Sequence, residues 1–242
     1  MSAGRYNFRM ARRMPPRSSQ AVVHGGPDQL TAAQLSQAAI LSREFFNRDA
    51  ITVARALLGK LLVRRQGRSL LAGRVVEDEA YLGQDDPAAH AYAGLTARNF
   101  VLFGPPGHAY VYFIYGNHYC LNVSCMPEGH AECVLFRAME PVFGLAAMAA
   151  ARGLALPPSP RPVQLRLISS GPGRMCEALG ITRLRDNDKD LTSRRSDLWL
   201  ADDGYVPERI VATPRIGITK AVEQRLRFAI AGNPYVSGKK FG

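Results

Sequence analysis

Cysteine, lysine, acidic residues and long apolar runs are all scarce in this sequence of 242 residues. Its four cysteines, Cys120, Cys125, Cys133 and Cys176, include no Cys-x-x-Cys pair. The count excludes a disulfide-dense scaffold, and the spacings match no zinc pattern even with His118 and His130 close by. Cys120 and Cys133 fall in strand-like apolar runs, where a free thiol behaves as a small buried hydrophobe. The reading is a reducing, cytoplasmic compartment and no metal. No run of 18 apolar residues exists, so no membrane-spanning helix is expected. The N-terminal stretch lacks the apolar core of a signal peptide, so secretion is not expected. Neither a G-x-G-x-x-G loop nor a P-loop is present, which speaks against a nucleotide cofactor.

Acids number 20 against 31 Lys plus Arg, a formal net charge of +11. Such a surface suits a polyanion: nucleic acid, an acidic membrane face or a phosphorylated ligand. Only five of the basic residues are Lys. Arginine suits bidentate phosphate contacts, and skewed genomic composition gives the same excess. Residues 1–40 hold five Arg and one acid, net +4, which leaves +7 for the rest. This stretch reads as a disordered basic arm with some helical tendency over 30–40. Apolar residues make up 47% of the chain, enough to build one core over 41–242.

Periodicity places a helix over 42–60, with Asp49 able to cap it. Strands follow over 61–65 and 70–79, joined at Gln66-Gly67. Residues 83–108 read as a long loop, a common place for function. Strands over 109–115, 119–125 and 132–138 come next, the first two closed by a tight turn at Gly116-Asn117. Helices are expected over 142–152 and 173–179, separated by a proline-punctuated connection. Two more strands are expected over 198–201 and 226–231. The pattern is α+β, a single mixed domain of antiparallel hairpins around one core.

Four segments carry candidate chemistry. In Val75–Gly83, written VVEDEAYLG, strand alternation puts Glu77, Glu79 and Tyr81 on one face and Asp78 on the other. Crowded carboxylates raise one another's pKa, which suits one of them to general-base work; a solvated strand end reads equally from this segment alone. In 109–119, four of nine tyrosines cluster, with Tyr110 and Tyr112 on one face and Tyr115 beside the hairpin glycine. In a basic protein these suggest stacking on bases, although a packed aromatic strand has the same pattern. Arg137 closes an apolar strand and can orient a carboxylate or simply reach water. Ser170-Gly171-Pro172-Gly173-Arg174 is a small-residue turn at a helix start, a natural seat for phosphate.

Taken together, the motifs resemble the alkyladenine (3-methyladenine) DNA glycosylase family of the mammalian type. The resemblance runs from about Leu57 to Ser237, in order: LLGKLLV, VVEDEAYLG, AAH, YVYFIYG, LNVS, LFRAMEP, SGPGRMCEALGI, TPRIGI and GNPYVS. It implies a mixed α/β domain whose curved antiparallel sheet, ringed by helices, carries a projecting tyrosine-bearing hairpin. It implies that Glu79 activates water, with Arg137 beside it. Tyr81, His90 and Tyr112 would sandwich an extruded base, with Leu135 also contacting it, and Asn122 would crowd the 2-amino group of guanine. Tyr115 would fill the gap in the duplex. Ser170, Gly171, Gly173 and Arg174 would meet the DNA backbone. The implied partner is double-stranded DNA with damaged purines, acted on by a monomer without cofactor, in the cytoplasm at the nucleoid. An electron-rich tyrosine pocket would favour cationic bases, and Glu77→Gln is expected to be milder than Glu79→Gln. Extra residues around 127–131 depart from the family pattern.

Overall fold

Apolar, β-branched segments separated by turn residues pair into one sheet, and the amphipathic segments between them pack on it. The computed structural model describes residues 29–114, 116 and 118–238. The expected disordered stretch over 1–28 therefore lies outside the described residues, as does Tyr115.

The sheet is antiparallel throughout, in the order β1-β7-β2-β3-β6-β5-β4. These strands are β1 Ala39–Ile40, β2 Leu61–Gln66, β3 Ser69–Tyr81, β4 Ala109–Ile114, β5 His118–Cys125, β6 Glu132–Phe143 and β7 Leu198–Asp202. The central β3 pairs with β2 only as far as Arg74. Beyond that point the same edge is taken by β9 Arg227–Ile230, itself paired to β8 Ile210–Thr213. The mixed α+β reading holds. Its helices are α1 Ala32–Gln37, α2 Arg43–Phe46, α3 Ala50–Leu57, α4 Leu145–Ala151, α5 Pro162–Ser169, α6 Pro172–Ala178 and α7 Arg183–Asp186.

Several boundaries differ from expectation for identifiable reasons. The helix expected over 42–60 is two, because the Asp49 carboxylate accepts a hydrogen bond from the Thr52 N–H and starts α3 afresh. The helix expected from Val142 begins at Leu145, since β6 stays paired to β3 through Phe143. The proline-rich connection conceals α5, whose first residue is Pro162, where a missing N–H costs nothing. The arm expected over 1–40 joins the fold from Leu30 onward. Thr31 and Gln34 cap α1 reciprocally, β1 pairs with β7, and Leu35 packs with Leu61, Val63 and Trp199.

The main core lies between β3, β5 and β6 and helices α3, α5 and α6. One carboxylate points into it. Asp78 is fully buried, and neither carboxylate oxygen has a hydrogen-bond partner among the described residues. Its pairing neighbours are Phe136 and Phe228. Burial, then the charges of Glu77 and Glu79, push its pKa well above the usual carboxylate range. A group whose folded pKa is raised loses stability as pH climbs from its unfolded value through its folded one. Asp78→Val should therefore stabilise the protein, by about 1–3 kcal/mol. The gain should grow as pH rises above the ordinary aspartate pKa. Thermal melts of both proteins across acid and neutral pH check this; an unchanged or lower Tm would contradict it.

Candidate active site

Four strands, two loops and the start of one helix converge on one cavity of about 850 Å³. Tyr81 ends β3, Tyr112 lies on β4, Asn122 on β5, and Leu135 and Arg137 on β6; all five line the cavity. His90 enters from the 83–108 loop, Gly171, Gly173 and Arg174 from the start of α6, and Ile216 from the loop after β8. The tertiary fold thus gathers most of the candidate residues around one space. Glu79 is fully buried in its floor, touching Arg137 and Tyr81, which line it.

Two irregularities aim these side chains. The β3–β6 register shifts between Val75 and Glu77, which leaves Val76 unpaired, and again between Glu77 and Asp78, which leaves Arg137 unpaired. Bulges of this kind redirect a side chain out of strict alternation. Arg137 consequently reaches two carboxylates. Its Nη1 lies 3.1 Å from Glu79 Oε1, and its Nε donates to Glu77 Oε1 at 3.1 Å. Burial alone would lower the Arg137 pKa, but Glu79 and Glu77 outweigh it and hold the guanidinium charged.

Glu79 accepts two further hydrogen bonds, from the Tyr81 hydroxyl at 3.0 Å and the Ile216 main-chain N–H at 2.8 Å. Its pKa is nevertheless raised. Burial is the largest cause, opposed by Arg137, the Ile216 N–H and Tyr81, while Glu77 adds least. The expectation that crowded carboxylates do the raising is thus corrected: desolvation does most of it. Tyr81 is held protonated by burial and by Glu79, so it remains a donor to that carboxylate.

Glu77, given no role by the sequence, is the hub behind the site. It accepts from Arg137, from Arg227 Nε at 2.6 Å, and from both the hydroxyl (2.9 Å) and the N–H of Ser237. It thereby ties β3, β6, β9 and the C-terminal GNPYVS segment together. The partners lie up to 160 residues apart in the chain, and no local pattern announces them.

The aromatic wall is equally organised. His90 packs on Tyr112 with ring centroids 4.4 Å apart, and its Nδ1 lies 2.9 Å from the Tyr110 hydroxyl. Burial and then Arg98 lower the His90 pKa, which favours a neutral imidazole. The Asn122 amide donates to the Tyr110 carbonyl at 3.2 Å, and its Oδ1 is 3.9 Å from Cys133 Sγ. This fixes the orientation of the amide toward the cavity.

The phosphate-seat segment is partly committed within the protein. The Ser170 N–H donates to the Arg166 carbonyl, and the Gly171 N–H donates to the Arg137 carbonyl. Ser170 is buried and does not line the cavity, so neither of these two amides is free in the way the sequence suggests. Gly173 serves a different need: a Cβ there would stand 2.9 Å from the His118 ring. His118 also meets Glu177 at 2.9 Å, and Glu177 is ion-paired to Arg152, so the hairpin stem is tied to α4 and α6. The extra residues around 127–131 turn back on the neighbouring loops, with the Gly129 N–H donating to the Phe103 carbonyl.

A buried carboxylate gripped by an arginine, a tyrosine and a main-chain N–H, beneath an aromatic cavity, is the equipment of a hydrolase that binds a flat ring and activates water. The description "Methylpurine-DNA glycosylase" matches residues 44–234. A Koribacter versatilis protein provisionally named 3-methyladenine DNA glycosylase is 60% identical over 209 residues, 86% of this chain and 98% of its own length. Proteins with the same provisional name from Methanoculleus marisnigri and Burkholderia cenocepacia are 49% and 48% identical, over 81% and 82% of this chain and 98% and 91% of theirs. The chain belongs to the methylpurine-DNA glycosylase family and is a DNA glycosylase, a hydrolase of DNA repair. No helix among the described residues is long and apolar enough to cross a membrane.

Proposed function

We propose that this protein rotates alkylated or deaminated purines out of duplex DNA and hydrolyses their N-glycosidic bond, leaving an abasic site. Its substrates are 3-methyladenine, 7-methylguanine, hypoxanthine and ethenoadenine. The observation that carries the reading is the Glu79–Arg137–Tyr81 cluster beneath the cavity. A base inside a duplex cannot be reached, so it must enter such a cavity at a cost of a few kcal/mol of unstacking. Tyr81, His90 and Tyr112 supply faces for it, and Leu135 supplies an apolar contact. Water adds through oxygen to the sugar C1′ as the C–N bond breaks. The base departs with the electron pair, and Glu79 takes the proton of the water. The same carboxylate stabilises the oxocarbenium character of the sugar, as in glycoside hydrolysis generally. Arg137 holds Glu79 in place and its charge favours the ionised form. Asn122 disfavours guanine by crowding its 2-amino group. Gly171, Gly173 and Arg174, at the cavity wall, are assigned to contact the DNA backbone. The enzyme acts as a monomer, without a cofactor.

The test is base release from duplexes carrying each of the four lesions, with undamaged duplex as control. Release of none of them would overturn the proposal. Tyr115, next to the hairpin glycine, is assigned the gap left in the duplex. Tyr115→Ala should lower single-turnover excision from duplex by roughly tenfold and from single strands far less, because only a duplex has a stack for the base to rejoin. Equal losses on both substrates would remove that role.

A further inference from the structure

One cationic group packed on the Tyr81 ring is not among the residues that line the cavity. Arg215 lies with its guanidinium 4.6 Å from the centroid of the Tyr81 ring. Tyr81 lines the cavity and Arg215 does not, so the cation packs on the ring from outside the cavity. It is held there rigidly. Arg215 Nη2 donates to Asp86 Oδ1 at 2.9 Å and Nη1 to Asp86 Oδ2, and Nη1 also donates to the Ala80 carbonyl at 3.1 Å. Asp86 is fixed in turn by the N–H groups of Ala88 and Leu82. Both members of the pair are fully buried at the side chain.

From this geometry we propose that Arg215 is a specificity-determining residue that lowers the preference of the pocket for cationic bases over neutral ones. A tyrosine face attracts a cation through its ring quadrupole. With Arg215 already on one face, ring density is drawn toward it. A positively charged purine stacked on the other face gains less, and it meets a like charge across the thickness of one ring. A neutral purine stacks there with no such loss. Arg98 lies 5.8 Å from the ring of Tyr112, a second wall of the cavity. The electron-rich pocket expected from the tyrosines alone is therefore partly spent on protein cations, and the site leans toward breadth. The inference rests on the proposed binding of purines in this cavity.

The experiment compares single-turnover release of 7-methylguanine, a cation, and hypoxanthine, neutral, from otherwise identical duplexes. The variant replaces Arg215→Gln and Asp86→Asn together, which removes both charges and keeps a planar hydrogen-bonded pair. A second pair, R215M with D86L, covers failure of the first to fold, since apolar isosteres of a buried ion pair are commonly tolerated. The ratio of 7-methylguanine to hypoxanthine release should rise by about threefold or more, the scale of one cation–π contact. In a Tyr81→Leu background the same replacement should leave the ratio unchanged. Equal loss on both bases, with the ratio fixed, would show that Arg215 only supports the fold. Release of neither base by the parent protein would instead overturn the proposed function.

Discussion

Glu79→Gln should bind lesion-bearing duplex as the parent protein does and release base slower by roughly 10³- to 10⁴-fold, the range of a lost general base and charge stabiliser. Glutamine keeps the shape: its Oε1 can still accept from the Ile216 N–H while its NH2 donates to the Tyr81 hydroxyl oxygen, so the cavity stays formed. What disappears is the proton acceptor. The pKa of Glu79 lies above the ordinary glutamate value, so the working, ionised form fills in at higher pH than for an exposed glutamate. The parent's single-turnover rate should climb with pH through that raised value, and the residual rate of the variant should lack that limb. Single-turnover base release across pH, beside a binding isotherm, measures both. Near-parental release by the variant would remove Glu79 from the chemistry.

The second large effect falls on a residue that need not touch substrate. Glu77→Gln should lower stability by about 3–5 kcal/mol, the usual scale for breaking a buried ion pair from one side. For a chain of this size that is a Tm lower by roughly 10 °C. The cause is geometric. Glu77 is fully buried, and its charge faces Arg137 and Arg227 at once. Without it Arg137 depends on Glu79 alone, so excision should fall as well. A melting curve within a degree or two of the parent, with excision intact, would show the hub to be dispensable. Double variants combining Glu77→Gln and Glu79→Gln should be non-additive in excision, because both act through one arginine.

Local physics made much of this protein legible before any coordinates. Alternating apolar residues bounded by turn formers mark β2, β3, β4 and β5, because strand pairing needs only a two-residue period and a place to reverse. Asp49 announced a helix start because a capping side chain acts within three residues. Ordered motifs were enough to name the family and to nominate Glu79, Arg137, Tyr81, His90 and Tyr112. Other features were invisible in the same letters. Alternation sets Asp78 apart from Glu77 and Glu79, but nothing local tells Glu77, the scaffold hub, from Glu79, the cavity carboxylate, or shows that Asp78 is left unpaired in the core. Their fates follow from two register shifts and from the distant partners Arg227, Ser237 and Ile216. Likewise Arg215 reads as one basic residue among many until the fold lays it behind Tyr81 and locks it on Asp86. The sequence by itself determined the periodic elements, the excess of basic residues and the motifs that mark the family, all of which depend on neighbours close in the chain. Only the tertiary structure decided which carboxylate meets the cavity-lining arginine and tyrosine, which is left unpaired in the core and which arginine packs on the Tyr81 ring. Those outcomes depend on burial and on charges brought together across the chain.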